Sequence, residues 1–347
     1  MSTTATEAST KNRAGLDKKD YSGGVSTLCT GCGHDSISQH IINAYFQMGI
    51  HPHDVVKTSG IGCSSKLPGY FLNKSYGINS MHGRMAPVSI GAKTVSRDLH
   101  MVGVSGDGDS ASIGLGGFLH LIRRNLPMVY IVANNGVYGL TKGQFSATAD
   151  QGAKLKSGEM NPFAMMDMCS MAIECGATFV ARSFSGDAKQ MGALLKAAIQ
   201  HRGTAVIDVI SPCITFNNHD QSTRSYAYVK EHDVHLQEMG FIAPFEEKKI
   251  ESKPGELIEV ELPDGATLWL RALDSRAHDV NDRLAAQKVL FESRKKGEIV
   301  TGLFYIDEKE KNLIETLQLT ETPLRNLQEN ELRPSDEIFK NKMASFR

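Results

Sequence analysis

Residues 100–135 constrain this chain more than any other stretch. They read His100-Met-Val-Gly-Val-Ser-Gly-Asp107-Gly108, then an apolar helical run, then Met128-Val-Tyr-Ile-Val-Ala-Asn134-Asn135. A strand, a helix and a second strand in that order form a βαβ unit with parallel strands. Both strands then end on one edge of the sheet, the edge where open α/β folds bind ligands. Asp107 and Asn135, far apart in sequence, should come side by side there. A carboxylate, an amide oxygen and a nearby backbone carbonyl make a partial shell for Mg²⁺. That ion takes one or two protein carboxylates and fills its octahedron with phosphate oxygens and water.

The segment Gly106-Asp107-Gly108-Asp109-Ser110-Ala111 also satisfies the dinucleotide fingerprint G-x-G-x-x-A. Two features count against that reading. A nicotinamide site needs an acidic residue at the end of the second strand to hold a ribose, and this chain has Asn134-Asn135 there. Asp107 and Asp109 would also repel a bare pyrophosphate unless a cation lay between them. A plain βαβ unit with a Gly-rich turn is the third possibility.

At 347 residues the chain can hold one large domain or two ordinary ones. A net charge of -1 gives no reason to expect a nucleic acid or an anionic membrane as partner. The apolar runs are broken well before the ~18 residues of a membrane span. Residues 1–19 are rich in Ser, Thr and Lys and have no apolar core, unlike a secretory signal. Residues 1–20 are therefore read as a mobile tail, and the cytoplasm as the location. Residues 21–225 are read as the main α/β domain. After about residue 223 the character changes: a charged, linker-like run at 246–254, a hairpin at 257–270 around Pro-Asp-Gly, and an amphipathic helix at 281–296. The last thirty residues are polar and are expected to wrap a neighbour or stay loose. Residues 226–347 are read as an extension for subunit contact.

Six cysteines are present. Cys169 and Cys175 lie in an apolar helical stretch and are read as core residues, a common fate of free Cys. The other four differ. Cys29-Thr-Gly-Cys32-Gly-His34 is a C-x-x-C in a Gly-rich loop. Cys63 and Cys213 each follow a strand-like run. Four thiols that converge on one edge can bind Zn²⁺ or a [4Fe–4S] cluster. A zinc ribbon would need a second C-x-x-C, and none exists. A redox dithiol at Cys29 and Cys32 remains open.

The Gly-Asp-Gly to Asn-Asn segment resembles the diphosphate-binding motif of thiamine-diphosphate enzymes. Together with Cys29-Thr-Gly-Cys-Gly-His34, Gly60-Ile-Gly-Cys-Ser-Ser-Lys-Leu-Pro-Gly69, Met81-His-Gly-Arg-Met-Ala-Pro87 and Tyr138-Gly-Leu-Thr-Lys-Gly-Gln144, it resembles the β subunit of 2-oxoacid:ferredoxin oxidoreductases across residues 28–216. The His-Gly-Arg and Cys-Ser-Ser-Lys-Leu-Pro segments look most like the 2-oxoglutarate branch. The resemblance implies a thiamine-diphosphate-binding fold: an open, mostly parallel sheet with helices on both faces. It implies that Asp107, Asn135 and the Val137 carbonyl hold Mg²⁺. It further implies that Gly106, Gly108, Asp109, Thr141 and Gln144 contact the cofactor, and that Cys29, Cys32, Cys63 and Cys213 hold one [4Fe–4S] cluster.

The implied reaction is oxidative decarboxylation of a 2-oxoacid with coenzyme A to acyl-CoA and CO₂, or its reverse. For 2-oxoglutarate the product is succinyl-CoA, and the electrons pass through the cluster to ferredoxin. Thiamine enzymes use a Glu on the aminopyrimidine. The family places it on an α subunit, and no matching residue stands in this chain. An α subunit, ferredoxin and an (αβ)₂ assembly are the implied partners. Arg84, with a planar guanidinium suited to carboxylates, and Lys66 are candidates for the distal carboxylate of the substrate. His34 is a candidate donor to a cluster sulfur or the cofactor. A pyruvate or branched-chain 2-oxoacid enzyme is the nearest alternative. Further off are a non-oxidative thiamine enzyme with structural zinc and a nicotinamide-binding or non-catalytic subunit.

Overall fold

Continuous apolar runs such as Met128–Asn134 and Thr204–Ile210 suit strands buried on both faces, as in a parallel sheet covered by helices. The computed structural model describes residues 11–155, 158–220, 222–246, 257–273 and 278–346. In chain order its strands are β1 (Val55–Ser59), β2 (Tyr76–Asn79), β3 (His100–Gly106), β4 (Met128–Asn134), β5 (Val137–Tyr138), β6 (Gln144–Phe145), β7 (Phe179–Phe184), β8 (Thr204–Ile210), β9 (Asp233–His235), β10 (Gln237–Ile242), β11 (Leu257–Glu261), β12 (Thr267–Ala272) and β13 (Ile299–Ile306). The principal helices are α1 (Gly33–Met48), α2 (Met85–Val95), α3 (Leu115–Arg123), α4 (Met168–Glu174), α5 (Ala188–Gln200), α6 (Tyr226–His232) and α7 (Arg283–Lys295).

Among the described residues, eight strands form one sheet in the order β2-β1-β3-β4-β8-β7-β13-β9. The first six run parallel, and β13 pairs antiparallel with β7 and parallel with β9. Alternate strand residues point to opposite faces. Val102, Ile131 and Ile207 pack under α1, α5 and the small β10-β12-β11 sheet, against Ile41, Leu194 and Leu268. Tyr130, Val132 and Val206 pack under α3, α4 and α7, against Phe118, Ala172 and Leu290. Because β1, β3, β4 and β8 are parallel neighbours, the segments that follow them emerge at one edge. These segments are Gly60–Cys63, Gly106–Asp107, Asn134–Asn135 and Ser211–Cys213.

Four expectations change. Residues 1–10 of the expected tail lie outside the described residues, but from residue 11 the chain is packed. Asn12 donates through Nδ2 to the Tyr21 hydroxyl at 2.7 Å and to the Phe46 carbonyl at 2.9 Å, and Arg13 donates to the Met48 carbonyl at 2.8 Å. The boundary at 225/226 cuts through the main sheet, because β9 and β13 are two of its strands. Ile299–Ile306 is a fully buried apolar strand, too short to stand out next to the charged segments around it. The helix expected after Gly108 begins as a wide π-helical turn, Gly108–Ile113, before α3. Cys175 caps α4 at partial exposure, whereas Cys169 is buried. The hairpin expected at 257–270 is β11–β12, and the amphipathic helix is α7. Of the charged run at 246–254, residues 247–254 lie outside the described residues.

Candidate active site

Asp107 starts the π-helical turn at the end of β3 and is almost fully buried. Its carboxylate accepts from Thr148 Oγ1 at 2.6 Å, from the Gly136 N–H at 3.1 Å, from the Asn135 N–H at 3.3 Å and from Ser146 Oγ. Burial pushes its pKa up, and the Ser146 and Thr148 hydroxyls offset only part of that. Asn135 ends β4 beside it. The Val137 N–H donates to Asn135 Oδ1 at 3.0 Å, and Asn217 Nδ2 donates to the Asn135 carbonyl at 2.8 Å. The structure thus brings the carboxylate and the amide together, as the βαβ reading requires. Asn134 serves a different purpose: it donates to Asp208 at 2.9 Å inside the sheet.

A cleft opens here. His34, Ile61–Ser64, His82, Gly106–Asp109, Asn135 and Val137–Thr141 line it. Glycines shape its floor. A Cβ at Gly108 would come 2.5 Å from the Tyr138 ring, and one at Gly106 would come 2.9 Å from Ser64 Oγ. Such a floor lets backbone N–H groups approach a phosphate closely. The residues therefore fit a diphosphate held through a divalent cation: a buried carboxylate, a neighbouring amide and a glycine cradle at strand ends.

The four cysteine segments gather at the same edge. Cys32 is the N-cap residue of α1, and the Gly33 N–H donates to the Pro212 carbonyl at 3.2 Å. Thr215 Oγ1 donates to Cys29 Sγ at 3.5 Å, and Tyr226 OH to the Gly31 carbonyl at 3.2 Å. Cys63 and Cys213 flank Gly139, where a Cβ would meet their sulfurs at 3.4 and 3.8 Å. Burial, with smaller contributions from the charges of Cys213 and Cys63, pushes the Cys32 thiol up to about 11. Among the described residues no three His, Cys, Asp or Glu side chains stand close enough to hold a single metal ion.

His34 is buried and links three segments. Its Nδ1 is 2.6 Å from Ser211 Oγ, and its Nε2 is 3.3 Å from Asn135 Nδ2. Burial lowers its pKa to about 4, so the ring is neutral. It ties the C-x-x-C loop to the ends of β4 and β8, and neither nitrogen is left for a cluster sulfur or the cofactor.

Asp109 departs further from expectation. It is nearly fully buried, and its side chain is engaged by the surrounding loops. Its carboxylate accepts from the Gly83 N–H at 2.7 Å, the Ile61 N–H at 3.2 Å, Ser105 Oγ at 2.5 Å and His82 Nδ1. The second Asp after the strand thus holds the loops of Ile61 and Gly83 at the cleft edge. Thr141 lines the cleft, whereas its partner Gln144 is exposed outside it. Lys66 and Arg84 are both exposed and do not line the cleft; Lys66 faces a separate groove with Lys57 and Asn79. Sequence reasoning missed Ser146 and Thr148, which hold Asp107, and Tyr138, whose hydroxyl donates to the Gly108 carbonyl at 3.0 Å. The Ser/Thr content of the loop after β6 was the available signal.

The fold and the cleft define a thiamine-diphosphate-binding α/β protein. Residues 60–209 match the family described as "Thiamine pyrophosphate enzyme, C-terminal TPP binding domain". The chain is 35% identical to the 2-oxoglutarate synthase subunit KorB of Methanocaldococcus jannaschii, over 68% of this chain and 88% of the relative. It is 42% identical to a 2-oxoacid:ferredoxin oxidoreductase subunit beta of Saccharolobus solfataricus, where the match spans 57% of this chain and 65% of the relative's length. A solved 2-oxoglutarate:ferredoxin oxidoreductase from Magnetococcus marinus, with 2-oxoglutarate, coenzyme A and succinyl-CoA bound, superposes with a TM-score of 0.72 at 28% identity, over 95% of this chain and 96% of that one. The chain belongs to the β subunits of the 2-oxoacid:ferredoxin oxidoreductases. No helix among its described residues is long and apolar enough to cross a membrane.

Proposed function

We propose that this chain is the thiamine-diphosphate-binding half of a 2-oxoglutarate:ferredoxin oxidoreductase. The observation that carries the reading is the convergence of Asp107–Asn135 and four cysteine segments on one edge of the sheet. Asp107, Asn135 and the Val137 carbonyl would hold Mg²⁺, and the glycine floor would receive the diphosphate. The cofactor, when bound, supplies an electron sink for loss of CO₂ from a 2-oxoacid. Cys29, Cys32, Cys63 and Cys213 would hold a [4Fe–4S] cluster that takes electrons towards ferredoxin. Four thiolates are the ligand set of such a cluster, and Cys63 and Cys213 already stand on either side of Gly139. His34 would fix the tautomer and spacing that join the two halves of the site. Lys66 and Arg84 stand outside the cleft, and would reach a distal carboxylate only once a partner closes over this edge.

An α subunit supplying the rest of the active site is part of the proposal. The cleft rim supports it, because Ile61, Met81, Ile113 and Leu140 are exposed there, an apolar patch of the kind that marks an interface. Those of residues 226–346 that lie outside the main sheet would act in assembly, with the acyl group going to coenzyme A, in a cytoplasmic (αβ)₂ enzyme. The test is anaerobic co-purification with an α subunit, followed by iron and sulfide analysis and ferredoxin reduction. The αβ complex should contain the cluster and need 2-oxoglutarate and coenzyme A for turnover, while this chain alone should release no CO₂. Robust decarboxylation by the chain alone, or turnover with pyruvate equal to that with 2-oxoglutarate, would overturn the reading.

A further inference from the structure

Asp109 and His82 form a buried-to-exposed pair that the cofactor contacts do not use. The carboxylate is almost fully buried, and its Oδ1 is shared by His82 Nδ1, the Gly83 N–H and the Ile61 N–H. Gly60 leaves room for it: a Cβ there would sit 1.9 Å from Asp109 Oδ2. The imidazole is 34% exposed, lines the cleft, and meets the Tyr138 ring edge-on at 6.1 Å. A carboxylate only accepts, so Nδ1 must carry a hydrogen. That fixes the tautomer and leaves Nε2 as the nitrogen that gives or takes a proton. Nε2 has no protein partner among the described residues. Other polar groups of the cleft are engaged: both nitrogens of His34 have partners, Tyr138 donates to a carbonyl, and Asp107 is surrounded by donors.

We propose that His82 is a catalytic proton-transfer residue of the reaction set out above, oriented by Asp109, and that it acts on the oxygen of the 2-oxo group. This inference rests on the proposed function. As electron density moves onto that oxygen, the imidazolium Nε2–H bond breaks and an O–H bond forms, which leaves a neutral ring held by Asp109 through Nδ1–H. When the carbonyl re-forms in the acyl product, the O–H bond breaks and the proton returns to Nε2. Proton balance at His82 closes within the cycle, and the two electrons released between these two proton transfers leave towards ferredoxin, the acceptor of the proposed reaction. Asp109 is a positioning residue, since it reaches the substrate only through His82.

The experiment uses the αβ complex with His82→Gln and His82→Ala. General acid–base catalysis contributes about 10²–10⁴-fold. Steady-state turnover should therefore fall at least ~100-fold in both variants. Thiamine-diphosphate affinity measured by calorimetry, which does not depend on turnover, should stay within about threefold. Added imidazole should restore a saturable part of the rate to His82→Ala and none to His82→Gln, whose side chain still fills the space. A purely structural histidine would show no such rescue. If the wild-type complex turns over normally and His82→Gln keeps a rate within about threefold of it, the dyad is overturned while the enzyme assignment stands. Loss of cofactor affinity in step with the rate would also overturn it. An inactive wild-type complex would sink the enzyme assignment and the dyad together.

Discussion

Two buried acidic clusters lie in one sheet, on either side of β4, and have opposite electrostatics. At the end of β3, Asp107 is surrounded by hydroxyls and amide N–H groups with no cation in contact, and its pKa is raised. On β7 and β8, Arg182 sits between Asp167 at 3.0 Å and Asp208 at 2.9 Å. Burial there is the largest single influence and works against the charge of Asp167, but the Arg182 charge and hydrogen bond together with the Ser170 N–H outweigh it and leave the pKa lowered. Asn134 touches both clusters, donating to Asp208 while Thr148 Oγ1 lies 3.0 Å from its oxygen. Thr148 has one hydrogen, so it serves either Asn134 or Asp107. The Arg182 cluster carries its own paired cation and belongs to the architecture. The Asp107 carboxylate is met by hydroxyls and amide N–H groups, with Arg224 acting on it only weakly, an environment that suits a divalent cation and a diphosphate.

The largest expected effect breaks the structural cluster. Arg182→Met strands two buried carboxylates and should destabilise the chain by about 3–5 kcal/mol in urea unfolding. A loss below about 1 kcal/mol would mean that the pairing contributes little net stability. Asp107→Ala should do the reverse. Stability should stay within about 1 kcal/mol, while affinity for thiamine diphosphate in the presence of Mg²⁺ falls by roughly 100-fold or more. Asn135→Ala removes a neutral group and should cost less, about tenfold. Unchanged calorimetric affinity in a folded Asp107→Ala protein would end the contrast.

A similar comparison separates the cysteines. Cys213→Ser should deplete iron and labile sulfide in the anaerobic complex and leave thiamine binding largely intact. Cys169→Ala, altering a buried thiol that donates to the Ala181 carbonyl, should leave iron unchanged. The opposite pattern would reassign the cluster ligands. Smaller still is Arg84→Met. An exposed ion pair is worth about 0.2–1 kcal/mol, so the KM for 2-oxoglutarate should rise at most about fivefold, with that for pyruvate unchanged. Equal effects on both would give Arg84 a structural role.

The smallest effect concerns acid. Because the pKa of Asp167 is below the usual 3.8, its contribution is fully present above that value and is lost as pH falls through the lower folded value. Urea midpoints measured from pH 5 down to 3 should fall for the wild type through this window. Arg182→Met, which removes the cause of the depression, should lose that part of the slope. An identical slope in the two proteins would show that Asp167 is not held ionised by Arg182.

The sequence by itself determined the βαβ unit, the adjacency of Asp107 and Asn135, and the four cysteine-bearing segments. Strand periodicity and chain order dictate these, because parallel strands must present their ends together. Tertiary structure alone decided how side chains at that edge divide their work. Asp107 and Asp109 look equivalent in Gly-Asp-Gly-Asp, yet one is held by Asn135, Gly136, Ser146 and Thr148 and the other by the loops of Ile61 and Gly83. His82 becomes part of the cleft only because Asp109 reaches it across 27 residues. The C-terminal third reads as an appendage in sequence, where its charged segments dominate. In three dimensions Ile299–Ile306 enters the main sheet beside β7, because a buried strand edge needs hydrogen-bond partners wherever in the chain they come from. Local pattern specifies which groups are available, and long-range packing specifies which of them are already satisfied and which remain for chemistry.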